Sequence, residues 1–144
     1  MKKICLIDTD ALIEIIERQK DIQQKIISYI KLLGYEIILP QKVCEEFENN
    51  KPSNRKTLKK FLSKWQISKC DIKNNDKEFS IFKIDKGEAD ALLQARKMSE
   101  INYNKNIICK FLFISNDKKA LNHFEKNFFE TSSLKELIES LELK

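Results

Sequence analysis

Two aspartates directly follow apolar runs of the kind that form buried strands. Asp8 follows Ile4–Ile7, and Asp117 closely follows Phe111–Ser115. In an open parallel sheet, ligands bind beyond the carboxyl ends of the strands. If these two strands are neighbours, their ends lie about 5 Å apart, and two carboxylates that close repel each other unless a cation lies between them. Such oxygen ligands suit Mg²⁺ or Mn²⁺, so the sequence predicts a metal site at this edge.

Two expected helices carry further carboxylates toward the same place. In the helix after Pro40, Glu46 lies at the edge of the apolar arc. In the helix expected over 88–98, Glu88 falls inside the apolar arc, whereas Asp90 falls on the polar side. Helical phase therefore favours Glu88 as the inward carboxylate. Asp90 stays as the alternative, because the phase of a helix is easily misjudged near its end.

Strands and helices alternate along the chain, which predicts a parallel α/β sheet with right-handed crossovers. Asp10 is expected to cap the first helix, and Gly34 to end the second. A strand over 36–39 precedes Pro40, and Ser133 with Glu136 forms a capping box for the last helix. The remaining expectations are a turn over 49–54, a basic helix over 56–65, a weak strand from 67, a loop over 74–77, an extended segment over 79–85 and a short strand at 128–129.

The chain has 144 residues and a net charge of +5, which suits one domain and a polyanionic partner such as nucleic acid. Phe61 and Trp65 are expected on the inner face of the basic helix. Its lysines are either a solvated face or contacts to RNA phosphates. These lysines are Lys56, Lys59, Lys60 and Lys64.

The cysteine, histidine and apolar content of the chain excludes several other classes of protein. The four cysteines form no Cys-x-x-Cys pair, which indicates reduced, mostly buried thiols in a cytoplasmic protein. A single histidine, His123, excludes metal-free RNA cleavage by a histidine pair. No apolar run is long enough to span a membrane, so no membrane association is expected.

Four segments, in order along nearly the whole chain, resemble the motifs of the PIN family of ribonucleases. The segments are 6–12, 40–47, 85–95 and 113–117. The third carries Gly87-Glu88, as in one subset of the VapC-like members. The resemblance implies a single domain over 1–144. It also implies a three-layer α/β fold, with a central parallel sheet of order 3-2-1-4-5 flanked by helices.

The same resemblance implies Mg²⁺- or Mn²⁺-dependent endonucleolytic cleavage of RNA. Many small bacterial members of the family are toxins that an antitoxin holds inactive. We therefore expect RNA as the substrate, an antitoxin protein as a partner, and a homodimer in the cytoplasm.

Within that chemistry, a divalent ion lowers the pKa of a bound water and stabilises the charge on the attacked phosphate. Asp8 and Asp117 are assigned as the main metal ligands. Glu46 and Glu88 are further ligands or orient the water, with Asp90 as the alternative to Glu88. The residues expected to orient these carboxylates or to replace one of them are Ser115, Asn116 and Asp10.

Two other functions remain open. Asp8-Thr9-Asp10 also resembles the first motif of haloacid-dehalogenase-like phosphatases, in which one aspartate attacks phosphorus and the other handles the proton. The second is a non-catalytic PIN-like scaffold that binds RNA or protein. Hydrolysis of a small phosphomonoester would distinguish the phosphatase from a nuclease.

Overall fold

The structure is a computed structural model, and it describes residues 1–72, 74, 86–127 and 129–142. Its strands are β1 (Lys2–Ile7), β2 (Glu36–Leu39), β3 (Ser68–Lys69), β4 (Cys109–Ile114) and β5 (Glu130–Ser132). Its helices are α1 (Thr9–Glu17), α2 (Lys20–Leu32), α3 (Gln41–Asn50), α4 (Asn54–Trp65), α5 (Lys86–Tyr103), α6 (Lys118–Lys126) and α7 (Leu134–Glu142).

The five strands form one parallel sheet in the order β3-β2-β1-β4-β5, which confirms the predicted fold. β1 is central and pairs with β4 along its whole length, from Lys2 opposite Cys109 to Ile7 opposite Ile114. The two strands therefore end at the same level. The backbone N–H of Asp8 continues the ladder by donating to the carbonyl of Ile114, at 2.9 Å.

Hydrophobic cores cover both faces of the sheet, which explains why β1 is apolar without alternation. Successive side chains of a strand point to opposite faces. Cys5 and Ile7 accordingly pack in a core that includes residues of α1, α2, α3, α4 and α7. Ile4 and Leu6 pack in a second core with residues of α5 and α6. This double burial holds the carboxyl end of β1 rigidly beside β4.

Most local signals lie where they were expected. Gly34 ends α2 with a φ of +93°, a conformation that favours glycine. β2 spans the predicted residues, and the backbone N–H of Glu136 donates to Ser133 Oγ at 3.0 Å, as half of the predicted capping box. No helix in the described residues is both long and apolar enough to cross a membrane.

The predicted bounds of the turn over 49–54 and of the last strand are wrong, and two other expected segments lie wholly or mostly outside the described residues. The turn over 49–54 is shorter, because α3 continues to Asn50 and α4 begins at Asn54. β5 begins at Glu130, after the predicted strand at 128–129. Phe128 lies outside the described residues, and Phe129 precedes β5 and packs its ring on Phe111 and Phe124, with centroids 5.4 and 5.0 Å away. The segment expected to be extended, 79–85, lies outside the described residues, as does most of the loop over 74–77.

Candidate active site at the carboxyl edge of the sheet

Asp8 stands between the end of β1 and the start of α1. Its backbone is extended, with φ −74° and ψ 161°, and its Oδ1 accepts a hydrogen bond from the N–H of Thr9 at 2.8 Å. The helix therefore begins two residues earlier than predicted. The prediction that Asp10 caps α1 is wrong: Asp10 lies exposed within the first turn. The reason is that the Asp8 side chain itself accepts from the N–H of Thr9, so α1 begins directly after the strand without a connecting residue.

Ser115 connects the ends of the two central strands. Its side chain is completely buried, and its Oγ donates to Asp8 Oδ2 at 2.9 Å. The same Oγ accepts from the backbone N–H of Asp117 at 3.0 Å. One hydroxyl thus bridges the Asp8 carboxylate and the Asp117 backbone. Asp117 is exposed, and its Oδ1 caps α6 by accepting from the N–H of Lys119 at 2.9 Å.

α3 brings a third carboxylate to this edge. The hydroxyl of Thr9 donates to Glu46 Oε2 at 2.8 Å, so the residue after Asp8 holds Glu46 in place. The neighbouring Glu45 pairs instead with Lys42, at 3.3 Å, on the same helix. Glu46 rather than Glu45 is therefore the acidic residue of α3 that reaches α1. We call Asp8, Glu46, Ser115 and Asp117, together with Thr9, the acidic edge.

α5 buries both of its candidate carboxylates. Glu88 is 6% exposed, in agreement with its predicted inward direction. Asp90 is 2% exposed, although helical phase predicted it on the polar side. Because α5 packs against both α3 and β4, its polar side is covered as well. A helix packed on two sides has no single inward face, and this is why the phase argument separated the two residues too sharply.

Three N–H donors hold the Asp90 carboxylate. Oδ2 accepts from the backbone N–H of Lys42 at 2.9 Å and from Gln94 Nε2 at 2.8 Å, and Oδ1 accepts from Asn74 Nδ2 at 2.8 Å. The first of these donors is an unpaired amide of the first turn of α3. Pro40, the N-cap residue of α3, makes no side-chain capping bond. Asp90 therefore caps α3 from a different helix.

Sequence reasoning missed this role of Asp90. One signal was available: a helix that starts after a proline has no side-chain acceptor for its first amides, so another element must supply one. We call Asp90 with Lys42, Asn74 and Gln94 the Asp90 node.

The donor chemistry of the acidic edge, carboxylate and hydroxyl oxygens, is that of a hard divalent cation. Asp117 Oδ2 and Glu46 Oε1 accept no hydrogen bond within the described residues, and neither side chain forms an ion pair there. The described residues contain no group of three His, Cys, Asp or Glu side chains that could hold a metal ion. The acidic edge therefore offers oxygen ligands in an open arrangement, at which water completes the coordination of an ion such as Mg²⁺.

Asn116 and Asp10 take no part in the side-chain hydrogen bonds of the acidic edge. Asn116 is exposed and lines a cavity of about 580 Å³, together with Arg18 and Ser133. The Asp10 side chain forms no hydrogen bond within the described residues, so the structure does not join it to Asp8 as a phosphatase pair.

Thiol chemistry is disfavoured near the site. Burial raises the pKa of Cys44, on α3, to about 12, so this thiol stays protonated. Burial likewise raises the pKa of Cys5, on β1, above the ordinary range of a thiol. Neither sulfur is a nucleophile at neutral pH.

The basic helix α4 has the predicted inner face, with Phe61 buried and Trp65 packed against the core. The indole N–H of Trp65 donates to Gln23 Oε1 at 3.3 Å. The four predicted lysines are all exposed, and Lys59 lines a cavity between α3, α4 and β3.

Comparison with known proteins adds little. No protein-family model matches the chain, and no curated protein matches it. Among solved structures, the chain is similar to a domain of a functionally unknown protein from Methanocaldococcus jannaschii DSM 2661. The identity is 21%, the TM-score is 0.47, and the match covers 93% of this chain and 91% of that one.

Proposed function

We propose that this protein is a divalent-metal-dependent endoribonuclease of the PIN type, with its catalytic centre at the acidic edge. One observation carries the proposal. The buried hydroxyl of Ser115 joins the Asp8 carboxylate to Asp117 at the carboxyl ends of two adjacent parallel strands. This is the place where open α/β sheets bind ligands.

The residues have distinct tasks in this proposal. Asp8 and Asp117 hold the Mg²⁺ or Mn²⁺ ion, and Glu46, supported by Thr9, adds a carboxylate from α3. Ser115 orients Asp8 through its hydroxyl proton, and the N–H of Thr9 orients the other oxygen. Glu88 is a further ligand or orients water from the buried side. The ion, when bound, stabilises negative charge on the attacked phosphate and lowers the pKa of a bound water.

Charge explains why a cation is required. Carboxylates at one edge give it a negative local potential, which repels an RNA phosphate. A divalent ion at the edge reverses that potential. Asp90 is left out of the proposed ligand set, because its carboxylate already accepts from three N–H groups in a buried site.

Metal dependence tests the proposal directly. Purified protein is incubated with a mixture of single-stranded RNAs, with added Mg²⁺ or Mn²⁺ and with EDTA. We expect cleavage with either metal and none in EDTA. Cleavage that persists in EDTA contradicts the proposal. Hydrolysis of p-nitrophenyl phosphate without cleavage of RNA would favour the phosphatase instead.

The biological role belongs to the same proposal. A toxin needs an antitoxin, which is commonly encoded beside it. A small DNA-binding protein in the adjacent reading frame, able to stop RNA cleavage when mixed with this protein, would support the toxin role. Light scattering of the protein alone measures whether it is the expected homodimer.

A further inference from the structure

A second site lies beside the acidic edge, in the cavity between α3, α4 and β3. The cavity has a volume of about 590 Å³. Among the described residues, its lining contains the cations Arg55, Lys59 and Lys69, one carboxylate, Glu48, and the apolar Ile67. We call it the basic cavity.

The sheet places the basic cavity at the same edge as Asp8. Lys69 pairs with Leu39 at the carboxyl ends of β3 and β2, and β2 pairs in parallel with β1. Adjacent strands lie about 4.8 Å apart, so the end of β3 is about 10 Å from the end of β1. A chain of phosphates could therefore reach both places at once.

α3 connects the two places through residues two positions apart. Glu46 accepts from Thr9 at the acidic edge. Glu48 contacts Lys69 at 3.1 Å and Arg55 at 4.0 Å in the basic cavity. Two residues of a helix advance about 3 Å along its axis and about 200° around it, so Glu46 and Glu48 leave α3 at nearly the same height on opposite sides, one toward the acidic edge and the other toward the cations.

The cationic residues of α4 fall into two groups. At about 100° per residue, Arg55 and Lys59 lie on the side of the helix that faces the basic cavity. Lys56 and Lys60 lie further around the helix, away from the buried Leu58 and Phe61, and do not line the cavity. The two groups carry the same charge on the same helix and differ in whether they line the basic cavity.

We infer that the basic cavity binds backbone phosphates of single-stranded RNA on the β3 side of the acidic edge. The inference rests on the proposed function, because it takes RNA as the polyanion that reaches the acidic edge. Guanidinium and ammonium groups around a half-enclosed space are the donors that bind phosphate. The cavity at Asn116, of similar volume, has three carboxylates against two cations in its lining and does not suit an anion.

Binding is measured apart from cleavage. The protein carrying Asp8→Asn is titrated, in EDTA, against a fluorescent single-stranded RNA by anisotropy at several salt concentrations. Arg55→Gln and Lys59→Gln are added singly. The matched controls are Lys56→Gln and Lys60→Gln, which remove the same charge from the same helix.

We expect Arg55→Gln and Lys59→Gln each to weaken binding about three- to tenfold and to reduce the salt slope by about 0.7. The control variants should change affinity less than about twofold. Glu48→Gln should tighten binding, because it removes the carboxylate that competes with phosphate for Lys69 and Arg55. Melting temperatures verify that each variant is folded.

Three results overturn the inference. One is equal weakening by the cavity variants and the controls. Another is that polyglutamate, an acidic polymer without phosphate, displaces the fluorescent RNA as well as unlabelled RNA does. The third is no RNA binding by the Asp8→Asn protein. If the wild-type protein cleaves RNA but the cavity variants and the controls bind RNA equally well, the inference fails and the proposed function stands. If binding depends on the cavity residues but no metal-dependent cleavage occurs, the inference stands and the proposed function fails.

Discussion

The acidic edge and the Asp90 node use the same chemical group in opposite ways. At the acidic edge, Asp117 and Glu46 are exposed and each keeps one carboxylate oxygen without a hydrogen bond in the described residues. At the Asp90 node, one buried carboxylate accepts from three N–H groups. Exposure and unused oxygens suit a ligand from solvent, whereas burial with several donors suits a structural connection.

Helix capping is common to both regions, and it shows how the difference arises. Asp8 and Asp117 each cap the helix that directly follows them in the chain. Asp90 caps α3 from α5, because Pro40 makes no side-chain cap of its own. The cap by Asp117 uses one oxygen and leaves the other without a hydrogen bond in the described residues, whereas Asp8 caps with one oxygen and accepts from Ser115 with the other. The Asp90 cap instead joins two helices, and both of its oxygens are engaged.

The largest expected effect is loss of cleavage by Asp8→Asn. The change removes a charge from the proposed metal site and should reduce the cleavage rate at least about 100-fold. The fold should remain, since asparagine is also a good N-cap residue. Rates of RNA cleavage in Mg²⁺ and a thermal melt in EDTA measure both expectations. An active Asp8→Asn protein would remove the acidic edge from the mechanism.

Asp90→Asn should act on stability instead. The new amide group would point an N–H₂ at donors that the carboxylate now accepts from, and it would leave at least one of them unsatisfied. We expect the free energy of unfolding to fall by about 2–3 kcal/mol. Urea unfolding measures it. Glu45→Gln, which alters only an exposed pair with Lys42, is the control and should change stability by less than about 0.5 kcal/mol.

Glu88→Gln tests whether the two buried carboxylates of α5 have different roles. Both Glu88 and Asp90 are buried, but only Glu88 belongs to the proposed site. At equal concentrations of folded protein, Glu88→Gln should reduce metal-dependent cleavage about tenfold, and more than Asp90→Asn does. An unaffected Glu88→Gln protein beside an inactive Asp90→Asn protein would exchange the two assignments.

Ser115→Ala should change the metal requirement of the protein and have the smallest effect on the cleavage rate at saturating metal. This change removes the hydroxyl that orients Asp8 and accepts from the Asp117 N–H. We expect the metal concentration for half-maximal cleavage to rise about tenfold, with a smaller change in the rate at saturating metal. A titration of activity against Mg²⁺ separates the two quantities. A fall in rate alone, with unchanged metal requirement, would contradict an orienting role for Ser115.

Local sequence was sufficient to predict the frame of the site. Apolar runs ending at Asp8 and near Asp117 predicted two strands, and alternation with helices predicted a parallel sheet that brings their ends together. Gly34 and the Ser133 cap also lay where expected. These signals succeed because they depend on the backbone and on nearest neighbours in the chain.

Long-range packing decided the rest. The prediction for Phe129 was wrong because its ring packs among other aromatic side chains just before β5 begins. The lysines of α4 are alike in sequence, and only the position of β3 makes Lys59 part of a cavity. In each case a partner distant in the chain determines the surroundings of the residue.

The sequence by itself determined the order of strands and helices, the acidic residues at the strand ends and the basic character of α4. Only the tertiary structure decided that Ser115 joins Asp8 to Asp117, that Thr9 holds Glu46, and that Asp90 caps α3. The physical reason is that a buried polar group must find a hydrogen-bond partner, and the packing of separate elements determines which partner is within reach.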